Sequence, residues 1–136
     1  TFHSACCRIL RREIERLGYS RSFTIYDSSD SERIMKDIIK DMGLDDKTFP
    51  AKLVLNVISR EKDKMVTPDE LMEGAEKTGD LRMIHIARAY KSYQTRLKEN
   101  NALDFDDLLF NTVYLLQKIP KLAEQLAYHF RFVVYY

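Results

Sequence analysis

Apolar residues recur every three or four positions along most of this 136-residue chain. This interval places side chains on one face of a helix, whereas a half-buried strand needs strict alternation. Four glycines and three prolines leave few positions at which a helix must end. The sequence therefore predicts an all-α fold, a compact unit of about six or seven helices with short extended segments near its ends.

Capping signals predict where several helices begin and end. Gly18 is placed to end the first helix, and Ser29 with Glu32 has the spacing of a capping box for the second. Thr67 before Pro68 is the clearest start, because it joins a cap to proline at the first helical position. Further helix limits are predicted at Gly43, Pro50, Asp80, Asn100–Asn101, Asp104 and Pro120. Extended structure is predicted at 23–26 and 132–135.

The charge balance and the cysteines exclude several classes of protein. The net charge is +1, so any charged surface must be local, and no apolar stretch is long enough to span a membrane. Cys6 and Cys7 are adjacent, which does not suit an ordinary disulfide. We expect a cytoplasmic protein without a membrane partner. Because the chain starts at Thr1 rather than Met, we also expect it to be a segment of something longer.

The sequence predicts no catalytic, cofactor or metal site of its own. The four glycines are scattered rather than clustered into a phosphate-binding loop. His3, Cys6 and Cys7 lie far in sequence from His85 and His129, so the spacing of a zinc site is absent. A Cys7 nucleophile paired with His3 lacks a third orienting group. The two cysteines are therefore interpreted as small core residues.

The N-terminal helix has features of an anion-binding site. Its free amides and positive dipole end lie at residues 1–4. A row of arginines begins one turn later and consists of Arg8, Arg12 and Arg16, with Arg11 beside it. The alternative is that the first residues only cap the helix and the arginines form a solvated face, with Arg11 paired to Glu15. If the site does bind an anion, a phosphate backbone could be held at this helix start together with Arg8, Arg11 and Arg12.

Asp104, Asp106 and Asp107 form the densest carboxylate cluster. Such a cluster could hold magnesium or act in acid–base chemistry. A structural role is favoured instead, because Asp104 is at a helix N-cap and the other two lie in the first turn, where negative charge complements the helix dipole.

Two strings resemble motifs of the UvrD/PcrA/Rep-type superfamily 1 DNA helicases. Thr1-Phe2-His3-Ser4, followed by Cys-Cys-Arg-Ile-Leu-Arg-Arg, resembles their motif Ib. The stretch 102–109, which contains Asp104, Phe105, Asp106 and Asp107, resembles their motif Ic. The order and separation of the two motifs also match, and the residues between them resemble the helical subdomain 1B of that family.

The resemblance implies one helical subdomain of an ATP-dependent motor that moves 3′ to 5′ on single-stranded DNA. In that family the phosphate loop lies upstream, and an Asp-Glu-x-Gln-Asp motif follows at the point where this chain ends Tyr135-Tyr136. ATP and Mg²⁺ would therefore act in the parent helicase, and this fragment would not hydrolyse ATP. The resemblance also implies a DNA-contact role for Thr1, Phe2, His3 and Ser4, and with it we predict that Arg8, Arg11 and Arg12 contact DNA. The implied partners are single-stranded DNA, duplex-junction DNA and the remaining helicase subdomains. The alternative is a helical docking module without DNA contact.

Overall fold

The computed structural model describes residues 1–125 and 127, and its architecture is mainly α-helical, as predicted. A short 3-10 helix, Ile14–Leu17, continues the first helix, and residues 120–125 are helical again after the last long one. No helix in this described part is long and apolar enough to cross a membrane. The longer helices are α1 (Phe2–Glu13), α2 (Ser28–Asp41), α3 (Ala51–Asp63), α4 (Pro68–Thr78), α5 (Leu81–Glu99) and α6 (Phe105–Lys118).

A parallel pair of two-residue strands joins distant parts of the chain. Strand β1 (Thr24–Ile25) confirms the first predicted extended segment, and it pairs with β2 (Ala102–Leu103), which the sequence analysis did not predict. The extended segment predicted at 132–135 lies outside the described residues. Because β2 leads directly into α6, the pairing ties the start of α6 to the loop that follows α1.

Most of the predicted helix limits are confirmed. Gly18 has φ 87°, a left-handed conformation that glycine adopts without strain, and it ends the 3-10 helix. Thr67 and Glu70 form a reciprocal capping box at the start of α4. Asp104 and Asp107 do the same for α6. The local sequence therefore determines where these helices begin or end.

The predicted cap of α2 is wrong. The helix begins earlier than the Ser29–Glu32 spacing implied, with Asp27 as its N-cap and Asp30 as the reciprocal partner. Strand pairing holds the chain extended only as far as Tyr26. Asp27 is thus the first residue free to turn, and its carboxylate is as good a cap as a serine hydroxyl.

Two hydrophobic clusters form the interior. The α2–α5 core packs α2, α3, α4 and α5 together, and it buries Tyr90 and Tyr93 of α5. The α1–α6 core packs the N-terminal helix and its 3-10 extension against α6 and both strand segments. Its buried members are Cys6, Leu10, Ile14, Phe23, Leu103, Leu108 and Leu115.

Candidate nucleic-acid interface

The first four residues form an exposed helix start. The hydroxyl of Thr1 accepts a hydrogen bond from the Ser4 amide at 3.2 Å and lies 2.8 Å from the Ser4 hydroxyl. Thr1 therefore caps α1, as one alternative expected. Phe2 in the same turn has 59% of its surface exposed, which is unusual for a large apolar side chain and is not explained by packing.

His3 lies against Phe105, the first residue of α6. The two rings meet edge to face, with centroids 6.0 Å apart and planes at 82°. Phe105 is itself 53% exposed. The fold therefore brings the two motif-like segments, which are far apart in the sequence, into contact through exposed aromatic rings. The His3–Phe105 pair, together with the exposed Phe2 next to His3 in the chain, is called the aromatic surface below.

Two arginines of α1 carry exposed positive charge on the face of the helix opposite to His3 and the buried Leu10. Arg8 and Arg12 are both exposed and lie one helical turn apart. Arg16, the next residue of the predicted row, binds Glu13 at 2.8 Å. Arg8 and Arg12 are thus the arginines of the row placed to meet an external anion.

Arg11 has a different role. Its guanidinium donates hydrogen bonds to the carbonyl oxygens of Arg21 and Phe23, both at 2.7 Å, and it lies 3.7 Å from the centroid of the Phe23 ring. Glu15, which one alternative paired with Arg11, instead binds Arg21 at 3.1 Å. Arg11 therefore fastens the loop before β1 to α1.

A buried lysine holds the acidic residues of the second motif-like segment. The ammonium of Lys62 on α3 lies 2.9 Å from Asp104 Oδ2 and 2.9 Å from Asp107 Oδ1. The Tyr93 hydroxyl donates to the same oxygen of Asp104 at 2.8 Å, and Gln94 donates to Asp107 at 3.2 Å. The side chains of Lys62 and Asp107 are each only 1% exposed. Lys62, Asp104, Asp107 and Tyr93 are called the Lys62 network below.

The electrostatics of this network follow from one ammonium between two carboxylates. Burial would lower the pKa of Lys62, but the charges of Asp107 and Asp104 outweigh it and raise that pKa. Burial would raise the pKa of Asp104, but Lys62 outweighs it and lowers that pKa. For Asp107 burial prevails over Lys62 and raises the pKa to about 6. Lys62 therefore favours the charged form of Asp104 more than burial opposes it, whereas for Asp107 burial is the larger effect.

These contacts favour the structural interpretation of the acidic cluster. The carboxylates of Asp104 and Asp107 are occupied by Lys62 and by their reciprocal capping bonds. Asp106 is half-buried, and burial raises its pKa. Within residues 1–125 and 127, no group of three or more histidine, cysteine or acidic side chains is arranged to hold a metal ion. His129 lies outside the described residues.

Lys62 is the site residue that the sequence analysis missed. It continues the buried stripe of α3, in which Val54 and Ile58 precede it at one-turn spacing. A charged side chain at a core position is rarely buried unless it is paired. That position was the available signal, but nothing in the sequence told which acidic residues would be its partners.

A cleft of about 360 Å³ lies between α2, α3 and the start of α6. Phe105 of the aromatic surface and Asp104 and Tyr93 of the Lys62 network all line it. The side chain of Asp104 keeps 12% of its surface exposed. The Lys62 network therefore lies at the inner wall of this cleft, next to the exposed Phe105.

Comparison of the sequence with known proteins places this chain in a family. The sequence model described as the UvrD/REP helicase N-terminal domain matches residues 1–135. An ATP-dependent DNA helicase PcrA of Staphylococcus epidermidis is 38% identical over 133 residues, and its namesake from Staphylococcus aureus is 37% identical over the same length. Each alignment covers 98% of this chain and 18% of the relative. The chain thus spans under a fifth of the length of these relatives, and over almost all of its own length it belongs to the UvrD/REP helicase N-terminal domain family.

Proposed function

We propose that this chain is the DNA-contacting helical subdomain, similar to subdomain 1B, of an ATP-dependent 3′ to 5′ DNA helicase. Family membership and the printed name of the PcrA relatives support the helicase part. The contact between His3 and Phe105 carries the finer part. It brings the two segments that resemble motifs Ib and Ic to one exposed surface, which a binding site requires and which isolated surface residues would not provide.

The DNA strand would be held by phosphate contacts together with the aromatic surface. Arg8 and Arg12 supply positive charge without sequence readout, and His3 offers a ring nitrogen to the DNA backbone. Phe2 and Phe105 offer exposed rings on which unpaired bases stack. Thr1 and Ser4 add hydroxyl groups at the helix start. These groups fit single-stranded DNA at a duplex junction, where bases are unstacked.

The remaining predicted residues would support this surface from behind. Arg11 directs its guanidinium to the Phe23 carbonyl and ring, so we assign it to holding the fold rather than the DNA. Asp104 and Asp107 face Lys62, and Asp106 adds negative charge at the start of α6. Phosphates would therefore lie on the α1 side of the aromatic surface.

ATP and Mg²⁺ would act through other segments of the parent helicase, which are also the expected partners of this subdomain. The glycines of the chain are scattered, and a phosphate-binding loop needs them clustered. We expect the purified chain to show no ATP turnover in a phosphate-release assay with and without DNA. Turnover that follows this chain through purification would contradict that assignment.

The test of the DNA-contact proposal is binding to a tailed duplex, followed by fluorescence polarisation at low and moderate salt. We expect Arg8→Glu/Arg12→Glu to weaken binding about tenfold or more and His3→Ala to weaken it about threefold to tenfold. The control is Lys47→Glu/Arg88→Glu, which reverses two other exposed charges and changes the net charge by the same amount.

Equal effects of the two charge reversals would mean that only net charge matters. Unchanged affinity in both the His3 and the arginine variants would remove the DNA role from this surface. The alternative, a docking module for other subdomains without DNA contact, would then be the better account.

A further inference from the structure

Lys62 connects α3 with the start of α6, and the proposed function gives this buried contact no role. It is on α3, yet its ammonium reaches both carboxylates at the start of α6, at 2.9 Å each. Asp104 is the N-cap of α6 and Asp107 is in its first turn. A single buried group therefore holds both ends of the first turn of α6 against α3.

Phe105 stands between those two anchored residues. It is the first residue of α6, directly after Asp104, and more than half of its side chain is exposed. An exposed ring has few packing contacts to fix its direction, so its direction depends on the backbone that carries it. The reciprocal capping bonds between Asp104 and Asp107 make that first turn rigid.

The strand pair restrains the same segment from the other side. The Tyr26 amide donates to the Leu103 carbonyl at 2.7 Å, immediately before Asp104. This bond fixes the approach of the chain to the helix, but it does not fix the turn that follows. Packing in the α1–α6 core places α6 against α1. The direction of its first turn, and so of Phe105 relative to His3, depends in addition on the link to α3 that Lys62 provides.

We propose that Lys62 is a positioning residue for the DNA-contacting surface, because its ammonium between Asp104 and Asp107 sets the start of α6 and so keeps the Phe105 ring against His3. The consequence for DNA rests on the proposed function. The placement of the ring does not, and it is measured without DNA.

The experiment is NMR of the 136-residue chain, in which the nuclear Overhauser effect between the His3 and Phe105 rings reports their contact. Lys62→Gln keeps an amide donor but removes the charge. Lys62→Met/Asp104→Asn/Asp107→Asn leaves no buried charge, and asparagine retains the capping ability. Ile86→Ala removes buried atoms from the α2–α5 core and controls for lost stability alone. All variants are compared where circular dichroism shows them folded.

We expect both Lys62 variants to lose or weaken the ring-to-ring effect, and to bind tailed duplex DNA about threefold to tenfold more weakly. Ile86→Ala should retain both properties. If Lys62→Gln does not fold, the triple variant alone decides the outcome, because it carries no uncompensated charge.

A folded triple variant that keeps the ring contact and binds DNA within twofold of the wild type would overturn the proposal. Loss of the ring contact without any DNA binding by the wild-type chain would support the positioning role and reject the proposed function. The two failures are therefore distinguishable.

Discussion

The two motif-like segments both start helices, yet they use their side chains in opposite ways. All of residues 1–4 are exposed, whereas Asp104 and Asp107 are 8% and 1% exposed. The first segment caps itself and leaves Phe2 and His3 facing solvent. The second directs its acids to Lys62 and leaves Phe105 facing out. Resemblance to a motif therefore does not say which of its residues meet a ligand, and burial separates the two roles.

The largest expected effect comes from removing the lysine beneath the second segment. Lys62→Met leaves two carboxylates in a buried site without their cation, and we expect the free energy of unfolding to fall by about 3–5 kcal/mol. Urea denaturation followed by circular dichroism measures it. Lys64→Met is the matched control, because Lys64 is exposed and its bond to Glu61 is 3.6 Å long. Similar losses in both variants would contradict the network's role.

A smaller effect distinguishes the two carboxylates by pH. Burial raises the pKa of Asp107 from its ordinary 3.8 to about 6. Its contribution to stability is therefore fully present below about pH 4 and is lost as the pH rises through about 6. An asparagine side chain does not ionise, so this loss is absent in Asp107→Asn. Between pH 4 and pH 7 its free energy of unfolding should rise by up to about 3 kcal/mol relative to that of the wild type.

Denaturation of both proteins across that pH range measures this change. Asp69→Asn is the control, because the Asp69 side chain is 78% exposed where it meets Lys91. A stability difference between Asp107→Asn and the wild type that stays constant with pH would contradict this prediction. It would show that ionisation of the buried Asp107 does not lower the stability.

In the first motif-like segment, the neighbouring Arg11 and Arg12 should differ in their effect on stability. Arg11→Ala removes two hydrogen bonds to backbone carbonyls and the contact with Phe23. We expect a loss of about 1–3 kcal/mol in the free energy of unfolding. Arg12→Ala, one residue along, should change it by less than about 0.5 kcal/mol. Thermal denaturation of the pair decides, and equal losses would contradict the assignment of Arg11 to the fold.

The smallest expected effect on stability accompanies a clear effect on DNA. Arg8→Ala/Arg12→Ala should leave the thermal midpoint nearly unchanged, because both side chains are exposed. When the logarithm of the affinity for single-stranded DNA is plotted against the logarithm of the salt concentration, the slope should decrease in magnitude by about 1.4. This is the value for two lost phosphate contacts. A slope equal to that of the wild type would exclude these arginines as phosphate ligands.

Much of the fold could be predicted because its helix limits are local. Gly18, Thr67 and Asp104 act within one turn of the chain, so their types and spacing suffice. The pairing of β1 with β2 could not be predicted, since two residues carry no periodicity and their partners lie far apart in sequence. The cap of α2 was misplaced because Ser29 and Asp27 are equally suitable, and only that pairing selects Asp27.

In the candidate site, too, local features could be predicted, whereas contacts between distant residues could not. Residue types indicated an anion site at the start of α1, and this stays a prediction about function. Nothing local distinguished Arg11 from Arg12, because the difference is made by the Phe23 carbonyl that the fold brings to one of them. Lys62 could be suspected from its stripe position, but its pairing with Asp104 required the fold.

We propose that the first segment meets DNA while the acidic residues of the second are held in the interior behind it. The most direct measurement is titration of single-stranded DNA into the ¹⁵N-labelled chain, with the amide shifts followed by NMR. We expect shifts at residues 2–4, Arg8, Arg12 and Phe105, and little change at Lys62. Shifts that leave α1 unaffected, or no shifts at all, would contradict it.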